Sequence, residues 1–356
     1  MYRKFPYGVA TGSLVGEIFE YAREKIFSIP AVNVIGSNTI NAVMETAAEV
    51  NSPVIIQLSY GGASFYAGKG FSNKEEQKAA IQGSIACALH VHELAKNYKS
   101  TVILHTDHCS KKNLPWIDGL LNANEKYYKR CGKTLFSSHM LDLSQEPLED
   151  NINICQKYLE RMNKNKMTLE IELGVTGGEE DGVDHSNIDN EKLYTQPQDV
   201  SYAYEKLIKI SKNFIIAASF GNVHGVYKPG NIILRPLILK KTQNYIKKKF
   251  FTKEKPVFFV FHGGSGSSIK DIQESISYGV IKMNIDTDLQ YAFTCGVRDY
   301  MNINKKYLEK QIGNPKGKDL PNKKYYDPRV WMRKGEKTFK SFLKKYFKLM
   351  NNINTL

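Results

Sequence analysis

The sequence reads as α/β: a (β/α)8 TIM barrel with extra N- and C-terminal helices. Three observations carry that reading. Eight short runs of apolar and β-branched residues recur along the 356 residues. Roughly 20 to 50 residues separate successive runs, too many for hairpins and enough for a returning helix. Nearly every run ends in polar residues, as barrel strands do where their carboxyl ends surround one mouth.

In order, the runs are PAVNV (30–34), PVIIQLS (53–59), TVILHTD (101–107), LFSSHMLD (135–142), TLEIELG (168–174), FIIAASFG (214–221), VFFVFHGG (257–264) and VIKMNID (280–286). Helical spacing fills the gaps. In IQGSIACALHVH, Ile81, Ile85, Ala88 and Leu89 fall on one face; in NICQKYLERM, Ile152, Cys155, Leu159 and Met162 do. An open doubly wound sheet uses the same alternation and stands as the competing architecture. With no short-period repeat and no low-complexity linker, residues 1–356 read as one barrel domain, with 313–356 as a C-terminal arm and helix.

Composition bounds the function. The chain is 42% hydrophobic and 24% charged, enough for a large core. No stretch approaches the roughly 18 apolar residues of a membrane span, and the start MYRKFPYGVATGS lacks the apolar core of a signal peptide. Five cysteines without a CxxC pair argue against a disulfide framework. A cytoplasmic protein with no membrane partner is expected. Fifty basic against 36 acidic residues give +14, which favours anionic partners. No basic run is interleaved with aromatics on a nucleic-acid module, so phosphorylated metabolites are expected rather than nucleic acid.

The chemistry gathers at the strand ends. TVILHTDH closes on Asp107 and His108, while Asn33, Ser59, Asp142, Glu172, His262 and Asn284 end other runs and His224 follows the sixth. Three neutral imidazoles, His108, His224 and His262, with one open position suit a catalytic zinc; three unrelated loop histidines are the alternative. His90, His92, His105 and His139 lie within helical or strand runs and read as structural hydrogen-bonding groups, and His185 as solvated. FHGGSGSS (261–268) runs from a strand into a Gly/Ser loop and a helix, and NIDT (284–287) follows the last strand. Such turns expose N–H groups to an anion where barrels often hold phosphate; a flexible turn is the plain alternative. GGASFYAGKG (61–70) lacks the spacing of a P-loop and reads as a mobile loop over the mouth. GVTGGEEDGVDHS (174–186) reads as a lid bringing Glu179, Glu180 or Asp181 over a substrate as general base, or as an exposed acidic loop with no role. Metal, phosphate loop and carboxylates in one mouth point to enolate chemistry on a phosphorylated carbonyl compound; hydrolysis at zinc fits as well.

HTDHC, TLEIELGVTGGEEDGVD, FGNVHGVYKPGN, FHGGSGS, VIKMNIDTD and NPKGKDLPNKKYYDPRVW closely resemble the class II, metal-dependent fructose-1,6-bisphosphate aldolases, in their class IIA branch. The resemblance runs from PAVNVIGSNTINAV to the C-terminal helix. It implies a homodimeric barrel that reversibly splits fructose 1,6-bisphosphate into dihydroxyacetone phosphate and glyceraldehyde 3-phosphate, with Zn2+ stabilising the enediolate. It implies His108, His224 and His262 as zinc ligands, with Asp142 and Glu172 at a second or displaced metal position. Asp107 would handle the proton of the C4 hydroxyl and Glu180 the proton on dihydroxyacetone phosphate. Gly225, Gly263, Gly264, Ser265, Asn284, Ile285, Asp286 and Thr287 match the dihydroxyacetone-phosphate site, beside a monovalent cation (Na+ or K+). Asn33, Ser59, Lys323 and Arg329 match contacts to the other half of the substrate, Arg329 reaching the neighbouring subunit. Three rivals remain at this stage: an aldolase for tagatose 1,6-bisphosphate, a Schiff-base enzyme using Lys282, and a basic scaffold that has lost catalysis.

Overall fold

Eight parallel strands pair in chain order and the last returns to the first. The computed structural model describes residues 4–72, 77–174, 177–180, 183–184, 194–224, 234–264 and 267–356; the side chains of 177–180, 183–184 and 223–224 lie outside that description. The strands are β1 (Ile29–Asn33), β2 (Val54–Leu58), β3 (Thr101–Ser110), β4 (Ser138–Asp142), β5 (Thr168–Leu173), β6 (Phe214–Ala218), β7 (Phe259–Phe261) and β8 (Val280–Ile285). Lys282 to Ile285 of β8 pair with Ile29 to Val32 of β1, so no edge is left and the open doubly wound sheet is excluded. Every predicted run holds a strand; β3 continues to Ser110, past its predicted end. Short pairings not foreseen include Gly8–Val9, which adds to the start of β3, and Ile312–Asn314, which forms a hairpin with Gly317–Pro321.

The connecting helices are α1 (Ser13–Lys25), α2 (Ser37–Glu49), α3 (Tyr60–Tyr66), α4 (Lys78–Leu94), α5 (Leu114–Cys131), α6 (Leu148–Asn163), α7 (Pro197–Leu207), α8 (Leu237–Phe250), α9 (Ile269–Ser277), α10 (Thr287–Ile303) and α11 (Pro328–Leu349). Strand side chains alternate with period 2, so one set faces the helices and the other the barrel interior. The outward set, such as Val54, Ile56 and Leu58 of β2 and Leu169, Ile171 and Leu173 of β5, joins the helices in one large core. The inward set changes character along each strand. Near the strand starts it is apolar: Ile29, Ile55, Ile103, Ile215, Val260 and Ile281 pack with Val15, Ile18, Phe19 and Ala22 of α1, which stops that end of the barrel. Towards the strand ends the same pleat face turns polar.

Two local expectations are corrected. GGASFYAGKG is not a loop over its first half: residues 60–66 form α3, with Gly62 and Ala63 buried. Ser59 caps that helix, its Oγ accepting from Gly62 N at 3.1 Å. The α4 face is partly different: Ala88 is buried and Ile81 and Ile85 pack against the core as expected, but Leu89 is exposed and the fully buried residues are Ala79, Ala80, Gly83, Ser84, Cys87, Ala88 and Val91. The cause is close approach: a Cβ on Gly83 would lie 1.9 Å from Ala63 O, so only a face of small residues lets α3 seat on α4. The α6 face is as expected, with Ile152, Cys155, Leu159 and Met162 buried.

An ion-pair network ties α11 to α2. Glu45 takes both guanidinium nitrogens of Arg333 at 2.7 and 2.8 Å, and Lys340 joins Glu45 and Glu49. The Arg333 bonds outweigh partial burial and, with Lys340, lower the Glu45 pKa to about 2. A depressed carboxylate pKa contributes stability that is complete above the unfolded value and lost as pH falls through the folded one. Glu45→Gln is therefore expected to lower unfolding free energy by about 1–2 kcal/mol at neutral pH, after allowance for solvent screening. Urea melts should show the gap between wild type and variant closing from about pH 4.5 to about pH 2.

Candidate active site

HTDHC can serve two purposes at adjacent residues because β3 is bulged. Thr106 pairs with His139 of β4 and Cys109 with Leu141, so β3 spends one residue more than β4 over that interval. His108 takes up the excess at φ 44°, a left-handed conformation costing a non-glycine residue about 1–2 kcal/mol. In a regular strand Asp107 and His108 would point to opposite faces. Here both reach the mouth, where ligand atoms of Asp107, His108 and His262 lie within 4.8 Å of one another.

Asp107 is fully buried and gripped by amides from three other strands or strand ends. Its Oδ2 accepts from Gln57 Nε2 at 2.8 Å, Asn33 Nδ2 at 3.2 Å and Asn284 Nδ2 at 3.2 Å; Asn284 also lies 3.1 Å from Oδ1. Gln57 also donates to Asn33 Oδ1 at 2.6 Å. The carboxylate is fixed from three sides and cannot rotate without breaking several bonds.

Beside it sit the metal candidates. His108 Nδ1 donates to Asp142 Oδ2 at 3.0 Å, and its ring packs edge-on to His262 with centroids 4.5 Å apart. Glu172 Oε2 lies 3.5 Å from both His108 Nδ1 and His262 Nδ1. His108, Asp142 and Glu172 form a second group with ligand atoms within 4.8 Å. Mixed imidazole and carboxylate donors suit Zn2+. Burial would raise the Asp142 carboxyl, but hydrogen bonds from His108 and Ser144 hold it below the usual range. Burial and His108 disfavour charge on His262, yet Glu170 and Glu172 prevail and raise its pKa to about 9.

One layer below lies a hub not predicted from the sequence, Glu170. Its Oε1 accepts from His262 Nε2 at 2.7 Å and Lys282 Nζ at 3.1 Å; Oε2 is 2.9 Å from Lys282 Nζ and 3.1 Å from His105 Nε2. Burial pushes the Glu170 carboxyl up, but Lys282 and His105 hold it well below the usual range. The signal was present: in TLEIELG, Glu170 and Glu172 are two apart and so share the inward face. Gln57 was missed for the same reason, two residues before Ser59. Lys282, the Schiff-base candidate, is an ion-pair partner of Glu170 and lies 3.9 Å from Asp107.

The remaining expected residues divide. Ile285, Asp286 and Thr287 lie where β8 passes directly into α10, and Gly263 and Gly264 follow His262. A Cβ on Gly264 would lie 2.2 Å from Met283 Cε, so a side chain there would have to displace the end of Met283. Ser59 caps α3 as an acceptor, which leaves its hydroxyl proton to donate. Lys323 opens a short helix, and Arg329, 88% exposed, pairs with Asp327 rather than with mouth residues. His224 pairs in parallel with Gly178, two residues before Glu180, so one small sheet carries both backbones; their side chains lie outside the described residues. Gly225, Asp181, His185 and Ser265 also lie outside them. His90 and His92 bond Asn41 and Leu135, and His105 and His139 bond Ser138 and Thr106, as structural histidines do.

A family model described as fructose-bisphosphate aldolase class-II matches residues 14–355. "Fructose-bisphosphate aldolase class 2" of Escherichia coli K12 is 60% identical over 349 residues, covering 98% of this chain and 97% of the relative. The crystal structure of fructose-bisphosphate aldolase from Campylobacter jejuni superposes with a TM-score of 0.90 at 57% identity, covering 99% of this chain and 98% of that one. The YdjI aldolase of E. coli K12, at 21% identity and a TM-score of 0.65, shares the fold.

The grip on Asp107 predicts a measurable cost. Gln57→Leu removes the 2.8 Å donor and leaves buried acceptors on Asp107 and Asn33 short of a partner. Unfolding in urea should show a loss of about 1–3 kcal/mol.

Proposed function

The chain belongs to the class II fructose-bisphosphate aldolase family, and we propose that the barrel mouth is where its reaction takes place. It is a lyase of glycolysis and gluconeogenesis, cleaving fructose 1,6-bisphosphate reversibly into dihydroxyacetone phosphate and glyceraldehyde 3-phosphate. The observation that carries the siting is the meeting of Asp107 with His108 and His262 within 4.8 Å, beside Asp142 and Glu172.

The family is zinc-dependent, and His108, His224 and His262 would hold the ion, with Asp142 and Glu172 as a second or displaced position. When bound, Zn2+ polarises the substrate's C2 carbonyl as a Lewis acid and lowers the cost of negative charge on its oxygen. Asp107 takes the proton of the C4 hydroxyl. As that C–O bond becomes the aldehyde carbonyl, the C3–C4 bond breaks and its electron pair moves toward C2 and the carbonyl oxygen. Glu180 returns a proton to C3 and, in the condensation direction, removes it. The amides of Asn33, Gln57 and Asn284 keep Asp107 aimed, which a base used in both directions requires.

One phosphate is assigned to Gly225, Gly263, Gly264, Ser265 and the turn Asn284, Ile285, Asp286, Thr287, with a monovalent cation alongside. Backbone N–H groups at the start of α10 favour an anion there. Asn33, Ser59 and Lys323 serve the other half of the substrate. Arg329, exposed at the start of α11, is assigned to a neighbouring subunit's site in a homodimer. The compartment of this reading is the cytoplasm.

Fructose 1,6-bisphosphate cleavage is expected to vanish after chelation and return with added Zn2+, metal analysis tracking both. Activity that survives complete metal removal would sink the zinc assignment. Asp107→Asn should keep zinc and fold while kcat falls about 10²–10⁴-fold. The dimer assignment has its own test: Asp107→Asn and Arg329→Ala proteins, each impaired alone, should recover activity when mixed and allowed to exchange subunits. Only a hybrid dimer unites an intact Asp107 with a partner's intact Arg329.

A further inference from the structure

Lys282 is among the largest fully buried side chains of the molecule, only 1% exposed, and it sits between two carboxylates on different strands. Its Nζ is 3.1 and 2.9 Å from the two oxygens of Glu170 on β5 and 3.9 Å from Asp107 Oδ1 on β3. Burying three charges costs several kcal/mol each before pairing, and apolar fillings are often as stable or more so. The layer directly beneath uses such a filling, with Ile55, Ile103, Ile215 and Val260. Stability alone therefore does not account for the ammonium.

What the ammonium holds is specific. Each oxygen of Glu170 is shared between Lys282 and one imidazole: Oε1 with His262 Nε2 at 2.7 Å, Oε2 with His105 Nε2 at 3.1 Å. A carboxylate only accepts, so a proton resides on His262 Nε2, and Nδ1 is left as the ring atom turned toward Glu172, where a bound metal would replace its proton. His105 is steadied in turn by Ser138 Oγ at 2.8 Å from its Nδ1. The same ammonium faces Asp107, whose remaining partners are neutral amides.

We propose that Lys282 is a positioning residue for the aldol reaction: it fixes Glu170 on His262, so that Nδ1 faces the metal, and holds Asp107 in the orientation of the base. The inference rests on the zinc and base assignments above. It goes beyond them by joining the two through one cation that touches neither substrate nor metal. Its signature is coupling: removing that cation weakens zinc binding and slows proton transfer together.

The test uses the full-length protein and the variants Lys282→Met, Lys282→Arg and Glu170→Gln. Zinc affinity is read by competition with a chromophoric chelator, metal geometry by the visible spectrum of the Co2+-loaded protein, and folding by thermal melting. Lys282→Met and Glu170→Gln are expected to weaken Zn2+ about 10–100-fold and to alter the Co2+ spectrum. The Gln amide can donate to Nε2 and so permits the other tautomer of His262. With zinc saturating, Lys282→Met should lower kcat about tenfold or more while KM stays within about threefold, since no substrate contact is lost. Lys282→Arg, which keeps the charge, should recover most of the zinc affinity.

A Lys282→Met protein that is less heat-stable, yet matches wild type in zinc affinity, Co2+ spectrum and kcat, would overturn the proposal. Should that variant fail to fold, Glu170→Gln decides, because it leaves Lys282 its Asp107 partner; wild-type zinc affinity there would equally overturn it. Wild-type protein that binds no zinc would instead bring down the underlying function reading, an outcome visible before any variant is made.

Discussion

The charge balance of the barrel interior rests on one ammonium between two carboxylates. Glu170 and Asp107 are both sealed from solvent, and without a counter-charge each would carry a desolvation penalty of several kcal/mol. Lys282 meets both, and the hydrogen bonds of His262, His105 and the three amides complete the compensation. Even so, the mouth remains rich in negative charge, since Asp142 and Glu172 stand above this layer. A bisphosphate would be repelled from such a surface. A divalent metal at the histidines reverses the local sign, and phosphate groups can be held further out at backbone N–H groups of the βα turns. The metal therefore conditions the electrostatics of substrate entry as well as the bond-breaking step.

The second constraint is geometric. A parallel strand offers the mouth one residue in two, yet the roles proposed for Asp107 and His108 need a base and a metal ligand almost in contact. The β3 bulge resolves this by inserting one residue, with His108 in a left-handed conformation that a regular strand would refuse. Its strain is local and is offset by the bond to Asp142 and by His108 N donating to Met140 Sδ at 3.3 Å. The alternating pleat continues beneath it through His105 and Ile103, so the barrel is undisturbed two residues away.

Much of this was legible in the sequence, and the boundary of legibility is physical. The eight strands and their polar ends followed from residue period and spacing, because barrel strands are short, separated by helices and inwardly alternating. His108 and His262 could be named as candidates because both follow apolar strands, and the structure brings their side chains together. Glu170, Gln57 and Lys282 were passed over or misread because each is embedded in an apolar run, where one polar residue looks like an interruption. Counting two back from Glu172, Ser59 and Asn284 finds all three. Residues 60–66 were read as a loop because their two glycines and small side chains lack an apolar stripe; the helix exists through its Ser59 cap and the notch at Gly83, which lies elsewhere in the chain. The bulge leaves no mark in composition at all.

Part of the positive charge sits far from the mouth. In a barrel of this topology every helix runs back from the mouth, so helix carboxyl ends and the connections to the next strand gather on the opposite face. Those connections, AKNYKS (95–100), CGKTLFS (131–137), KNKM (164–167), IKISKN (208–213) and FTKEKPVF (251–258), hold nine lysines and a single acidic residue, Glu254. The last turns of α5 and α8 add Lys129, Arg130 and Lys247, Lys248, Lys249. There the lysines offset the negative ends of the helix dipoles. They lie a barrel's depth from the mouth, beyond the roughly 8 Å over which salt at physiological strength screens a charge. This share of the net charge says little about how the protein draws in a bisphosphate; the groups at the strand ends are negative in balance until a metal is added, whereas residues 301–356 carry 15 basic against four acidic residues, Lys323 and Arg329 among them.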